Sequence, residues 1–428
     1  MLRPFEIEAN LSPARRALFQ YFWVTFGLLL FFASWKLWIG QEAYPQVPLF
    51  KAGCGMPAGV DAGLFAGVLG ALLSLLLANE GSHFWRRSLN LFLICLGGLF
   101  CLDQHRLQPW AYQFWLIALA ARVLSPGSVA YWWRWLVISI YFHSAISKLD
   151  LSFASELGQS FLTTGLGLVG ISTEKWSESA RLGAAFLFPV WELLVAICLC
   201  FRPLRIWGLA GAWIMHVAML LILGPWGMNH HAGVLLWNLF FICQAGLLFW
   251  PCHYQGPECA TGGGDPRDRN AGPRLVRWIY LVAMLAPFLQ PWGWWDLWPS
   301  WGLYASHAER VSLWVHVADR EKLPPTVREH LWEIYGEESW NALRLNRWSL
   351  GQLYVPVYPQ GRFQLGVAEG VIQKYGLHGR FRVQFEHSPR FSWTTSRVGE
   401  EFRTLEELRK KMRGFLLNAE PRRSISRN

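Results

Sequence analysis

The chain has 428 residues, is 53% hydrophobic and 16% aromatic, and contains 27 tryptophans. So apolar a composition excludes an ordinary water-soluble domain. The net charge is +10, with the basic residues lying mostly between apolar runs and in the tail, which assigns them to anionic lipid headgroups rather than nucleic acid.

A bilayer core is crossed by about 20 apolar residues in a helix. In chain order, runs of that kind fall at 18–39, 60–78, 88–102, 110–125, 130–147, 180–201, 205–223, 232–250 and 275–291. The expected fold is an all-α polytopic transmembrane bundle of about nine spans, within a range of eight to ten, over residues 18–291, with a small C-terminal α+β extramembrane domain. The first run lacks a small-residue cleavage site and reads as a retained span. Residues 1–17 form the N-terminus, 251–274 a Gly/Pro-rich linker, and 292–301 (WGWWDLWPSW) an aromatic interface segment. Under the nine-span path, Arg15, Arg16, Arg86, Arg87, Arg122, Arg202 and Arg205 share one face. The positive-inside rule then places the N-terminus in the cytoplasm and the C-terminal domain outside.

After residue 302 the apolar period changes from helical to alternating. Val311, Leu313, Val315 and Val317 form one expected strand, and Phe381, Val383 and Phe385 another. Thr404 to Asn418 reads as a helix that opens with a Thr404/Glu407 capping box. Leu405, Leu408, Met412 and Leu416 lie on one of its faces. Residues 302–418 make up this domain, and 419–428 read as a disordered tail.

Ionisable groups inside apolar spans are costly, so they point to function. The first cluster is Tyr141-Phe-His143-Ser-Ala-Ile-Ser-Lys148-Leu-Asp150, in which Ser144 and Lys148 form an i,i+4 pair. An amine held partly out of water is a candidate neutral base. The alternative is a lysine that snorkels to the headgroups and pairs with Asp150. The second cluster is His216 in mid-span, followed by the turn Gly224-Pro-Trp-Gly-Met-Asn229-His230-His231 and by Asn238. Glu192 stands alone in an apolar run and needs a partner. Asp103-Gln-His105-Arg106 closes the hairpin between two short runs. All of these fall at or reach the outer side, as one polar cavity requires. No metal site is expected: the Cys252/His253/Cys259 spacing does not fit a zinc knuckle. Nucleotide-binding, HExxH and GxSxG motifs are absent from the sequence.

The stretch Ile140-Tyr-Phe-His-Ser-Ala-Ile-Ser-Lys148-Leu-Asp150 resembles the Tyr-Phe…Gly-x-x-Lys-Leu-Asp element of the vitamin K-dependent gamma-carboxylase family, whose bacterial relatives are the HTTM (horizontally transferred transmembrane domain) proteins. Trp191-Glu192-Leu-Leu and Ala212-Trp-Ile-Met-His216 with Gly224-Pro-Trp226 resemble two further family elements, in the family's order. The resemblance covers roughly residues 15–300. It implies a membrane enzyme, carboxylase-like, with Lys148 as base on a reduced quinone (a vitamin K-like hydroquinone) and His216 holding or polarising it. His143, Glu192, Asp150, His105, Asn229 and His230 are the expected supporting cavity residues. It also implies a bacterial inner-membrane location and a periplasmic protein or peptide substrate, alongside membrane lipids and the quinone as partners. Two departures stand out: Ser147 replaces the family's second lysine, and the C-terminal domain is small. The competing readings are a non-catalytic scaffold or lipid- or quinone-binding protein, and a DoxX-like quinone-linked redox protein.

Overall fold

The computed structural model describes residues 11–57, 59–251, 271–377, 379–388 and 396–423. The expected linker, with Cys252, His253 and Cys259, lies almost wholly outside the described residues, and its last four residues are already helical. The N-terminal segment before residue 11 and the end of the tail from residue 424 also lie outside them.

The helical part runs through α1 (Pro13–Ala33), α2 (Trp35–Trp38), α3 (Gly59–Leu77), α4 (His83–Leu102), α5 (Pro109–Val123), α6 (Pro126–Ile146), α7 (Leu151–Ser155), α8 (Leu157–Gly167), α9 (Glu178–Ala185), α10 (Leu187–Cys200), α11 (Arg205–Leu223), α12 (Ala232–Phe249) and α13 (Ala271–Leu285). Helices occupy all nine expected positions. Among the described residues, seven segments are long and apolar enough to cross a bilayer: α1, α3, α4, Glu178–Cys200, Arg202–Leu223, α12 and Gly272–Trp292. The remaining two differ for a physical reason. The α5 helix has 15 residues, and α6 has 21 but carries Arg134, Ser139, His143 and Ser144, all buried. Both are enclosed by other helices, so they need not be uniformly apolar. Their polar groups are bonded across helices: Gln113 donates to Gln244 at 2.9 Å and accepts from Trp237 at 2.8 Å. The outer helices expose apolar side chains instead, among them Phe32, Leu77, Ile94, Trp207 and Trp278. An exterior of that kind suits lipid, which has nothing to offer a polar surface. The pair α7–α8 was not expected from the sequence; its mixed polarity hides it.

The C-terminal domain is a five-stranded antiparallel sheet in the order β2-β3-β1-β4-β5: β1 (Arg310–His316), β2 (Leu331–Glu333), β3 (Trp340–Arg344), β4 (Phe381–His387) and β5 (Val398–Phe402). The period-2 pattern is realised at Val311, Leu313, Val315, Phe381, Val383 and Phe385, which are buried, but not at Val317, which is exposed because the strand ends at His316 and the chain turns into a 3-10 helix. The helices α14 (Pro325–Arg328), α15 (Leu345–Leu353) and α16 (Gly361–Lys374) fall between strands, and α17 (Leu405–Met412) follows β5. The capping box at Thr404 and Glu407 forms as expected. The helix ends at Met412 rather than Asn418, and Leu416 is 96% exposed, because the chain turns there toward the bundle. The start of the expected disordered tail is ordered as well. Ala419 is buried, and Arg422 donates to Asp61 at 2.6 Å and to Gln46 at 2.8 Å.

Charged groups fasten the sheet domain over one end of the bundle. Asp61, at the start of α3, is fully buried between Arg106 and Arg422. Arg362 on α16 pairs with Asp296 and donates to Gln104 at 2.8 Å, while Tyr358 donates to Asp296 at 2.6 Å. The α4–α5 turn is therefore a structural junction. His105 is fully buried and donates Nε2–H to the Pro356 carbonyl at 2.8 Å, with Phe363 against its ring. It does not line the cavity, which corrects the sequence expectation: the covering domain seals the turn.

Two neighbours in that turn titrate in opposite senses. Burial pushes the Asp103 carboxyl up to about 6, against the pull of Arg106, and pushes the His105 imidazole down to about 4. From pH 4 to 6 the folded Asp103 holds more proton than the unfolded one, so its contribution to stability falls as pH rises. Over the same window unfolded His105 holds more proton than the folded ring, so its contribution rises. Each is worth about 3 kcal/mol, and the two offset. Relative to the parent, His105→Gln should lose thermal stability in detergent between pH 4 and 6, and Asp103→Asn should gain it. Parallel melting curves for the two variants would contradict this account.

Candidate functional site

A cavity of about 840 Å³ lies between one end of the helical bundle and the sheet domain. Apolar side chains, Phe153, Phe161, Phe188, Met219, Trp237 and Phe241, make up much of its wall on the bundle side. Against them stand Lys148, Glu192, His216, His230, His231 and Asn238. Glu309, Arg310, Gln384 and Glu386 reach it from the sheet domain.

Lys148 follows the C-cap of α6, where its backbone N–H still donates to the Ala145 carbonyl at 3.0 Å. The residue is 8% exposed. Its Nζ donates to Ser144 Oγ at 2.7 Å, one helical turn back, and to Glu192 Oε2 at 2.5 Å. The i,i+4 pairing with Ser144 follows from the sequence spacing; the pairing with Glu192 comes from the packing of α6 against α10. The snorkelling alternative is not what is seen, because Asp150 is engaged elsewhere. It caps α7 by accepting from Phe153 N at 2.6 Å, and its other oxygen lies 2.8 Å from His307 Nδ1. Asp150 thus positions the turn after Lys148 and does not line the cavity, a second correction.

His216 sits between two partners. Its Nε2 is 2.9 Å from the Tyr141 hydroxyl, and its Nδ1 is 2.9 Å from Asn238 Oδ1. An amide oxygen only accepts, so Nδ1 carries the proton and Nε2 accepts from Tyr141. Asn238 is held in turn by donating to the Val234 carbonyl at 2.8 Å. The imidazole stacks on Phe241 with centroids 4.9 Å apart. Tyr141 precedes Ser144 and Lys148 on α6, so both polar groupings open into one space.

The turn after α11 carries His230 and His231 to the cavity wall. Gly227 permits this turn: a Cβ there would meet the Ile222 carbonyl oxygen at 2.1 Å. Asn229 adopts a left-handed φ of 50°, which Asn tolerates, and its N–H closes on the Gly224 carbonyl at 2.9 Å. It shapes the turn without lining the cavity, contrary to the expectation. Burial and the adjacent His231 push the His230 imidazole down. On the sheet-domain side, burial raises the Glu309 carboxyl and the Tyr304 phenol.

His143 is the remaining correction. It projects from another face of α6, donates Nε2–H to the Met284 carbonyl at 2.8 Å, and lines a separate apolar crevice of about 480 Å³ with Phe142 and Phe288. Among the described residues, no group of three or more His, Cys, Asp or Glu could hold a metal ion. Of the expected set, Lys148, His216, Glu192 and His230 converge on the cavity, while His143, Asp150, His105 and Asn229 do not. Sequence reading missed Phe153 and Phe161, which arrive on α7 and α8, and Tyr304, Glu309 and Arg310, whose placement depends on how the sheet domain docks.

Removing one member of a buried ion pair leaves the other charge stranded. Glu192→Ala should therefore cost about 3 kcal/mol of stability. Lys148→Met combined with Glu192→Leu should regain most of that loss in detergent melting or chemical unfolding. Additive losses in the double variant would show that the two groups do not pair. Compared with known protein families, curated proteins and solved structures, the chain matches none.

Proposed function

We propose that the chain is an integral membrane enzyme that admits a lipophilic, hydroxyl-bearing aromatic substrate, a reduced quinone of the vitamin K class, and removes a proton from it at Lys148. The observation that carries this reading is the Lys148 amine, 8% exposed, 2.5 Å from Glu192 in the wall of a cavity lined with aromatic side chains. A soluble-substrate enzyme has little use for such a wall, whereas an apolar ring and tail are suited to it.

The cavity fits a quinol on two counts. Its volume of about 840 Å³ exceeds what a bicyclic ring needs, and Phe241, Trp237 and Phe161 offer faces for stacking. When bound, a hydroquinone supplies an acidic phenolic hydroxyl and a pair of reducing electrons. The protein supplies the proton path. Transfer of one proton from Lys148 Nζ to Glu192 Oε2 across their short contact leaves a neutral amine beside a neutral carboxylic acid. The freed amine lone pair then accepts a proton from the substrate hydroxyl, while Ser144 Oγ keeps Nζ aimed. On the far side, Tyr141, His216 and Asn238 form a fixed relay whose imidazole is oriented by its Nδ1–H bond, as positioning of a second oxygen requires.

The carboxylase-like version adds a peptide or protein glutamate reaching the cavity from the sheet-domain side. The accompanying topology has nine crossings of a bacterial inner membrane, with the N-terminus cytoplasmic and the sheet domain outside. Arg16, Arg86 and Arg122 lie at helix ends remote from the sheet domain, which supports that orientation.

In proteoliposomes supplied with vitamin K hydroquinone, Lys148→Ala should lower quinol turnover at least about 100-fold, the usual contribution of a general base. Binding, read as tryptophan fluorescence quenching, should remain. Undiminished turnover in that variant would remove the catalytic reading, and loss of binding together with turnover would recast Lys148 as a ligand-holding residue.

A further inference from the structure

A third pocket, of about 340 Å³, lies at the opposite end of the bundle from the Lys148 cavity. The start of α1, the α3–α4 turn, the end of α5 and the start of α6 bound it. Lys148 follows the other end of α6, whose 21 residues span about 30 Å. The two pockets are therefore separated by roughly one hydrocarbon thickness.

Three guanidiniums line this pocket, those of Arg16, Arg86 and Arg122. Glu80 is the one carboxylate among its lining residues, and it is engaged by Arg16 at 3.3 Å. Arg122 uses Nε on Asn90 at 2.7 Å, which leaves its terminal nitrogens without a partner among the described residues. Arg86 makes no ion pair with any described residue. Deeper in, Trp23 is 2% exposed and its indole N–H has no acceptor. That nitrogen is closed off from the open space of the pocket, so Trp23 forms part of its wall. The neighbouring Trp85 differs: its N–H is satisfied by Gln20 at 2.8 Å. Leu89, Ile117 and Val129 line the same pocket with apolar surface.

From these groups we infer that the pocket binds the headgroup of an anionic membrane phospholipid. The phosphodiester oxygens take the Arg86 and Arg122 guanidiniums, and the acyl chains leave along the apolar flank. The lipid is preferred to a free anion because the pocket joins cationic groups to apolar surface at helix ends, the level at which phospholipid headgroups lie. Its place across the bundle from the cavity makes it independent of the proposed quinol chemistry.

The full-length protein in detergent is titrated with dioleoyl-phosphatidylglycerol, dioleoyl-phosphatidylcholine and inorganic phosphate, with binding read by native mass spectrometry and by thermal shift. Phosphatidylglycerol should bind at least roughly tenfold more tightly than phosphatidylcholine, and added salt should weaken it. The Arg86→Ala/Arg122→Ala variant should lose roughly tenfold or more in affinity for phosphatidylglycerol alone. Equal binding of the two lipids, or an unchanged affinity in the variant, would overturn the inference. Protection by inorganic phosphate equal to that by phosphatidylglycerol would assign the pocket to a free anion instead. As a check that needs no variant, phosphatidylglycerol with a photoactivatable acyl chain should crosslink to residues 80–89 or 117–129; crosslinks confined to other segments would also reject the site.

Discussion

Asp61 is a carboxylate with no access to water, and two guanidiniums from distant parts of the chain neutralise it: Arg106 in the α4–α5 turn and Arg422 near the C-terminal end. A charge buried this way tolerates little displacement of its partners, because losing either leaves an uncompensated ion in a low-dielectric setting. The consequence is architectural. The C-terminal segment is drawn back across the bundle to the start of α3, and α16 is held beside it by Arg362, Asp296 and Gln104. The sheet domain thereby becomes a roof. Without it the space around Lys148 would be an open vestibule at the end of the bundle.

That roof changes what the polar groups beneath it can do. Between helices and sheet, the Lys148–Glu192 and Tyr141–His216–Asn238 groupings are shielded from bulk water, so their interactions are stronger than at a surface. Each is fully specified by hydrogen-bond geometry: the amine has two acceptors, and the imidazole has one donor and one acceptor. Aromatic and methionine side chains make up much of the wall on the bundle side, and polar groups of the sheet domain face them. The proposed substrate, one acidic hydroxyl on a large hydrophobic body, is matched to this pairing of a held amine with an apolar lining. Polar residues of the bundle gather where other helices surround them, in α5 and α6 and on the facing sides of α10, α11 and α12, which carry Glu192, His216, Asn238 and Gln244.

The four expected residues that do not reach the cavity show where one-dimensional reasoning stops. His143 and Lys148 lie five residues apart, close enough to read as one cluster, yet His143 projects from α6 into one space and Lys148, just past the end of that helix, into another. Asp150 and Asn229 are local organisers of turns, and both are polar for that reason. His105 is polar and buried because a domain some 250 residues later in the chain closes over it. In each case the residue type was informative and the direction of the side chain was not.

The sequence alone determined the apolar runs and so the helices, the switch to alternating strands after residue 302, the capping box at Thr404, and the Ser144–Lys148 pairing, because each depends on spacings of a few residues along one element. It also singled out Lys148, Glu192 and His216 as polar groups too costly to leave unpartnered in apolar runs. Only the tertiary structure decided that Glu192 is the partner of Lys148, that Tyr141 and Asn238 flank His216, and that the chain after Met412 returns to bind Asp61. Those contacts join elements 22 to 361 residues apart. No local periodicity encodes such a meeting; it follows from how whole helices pack and where buried charge can be neutralised.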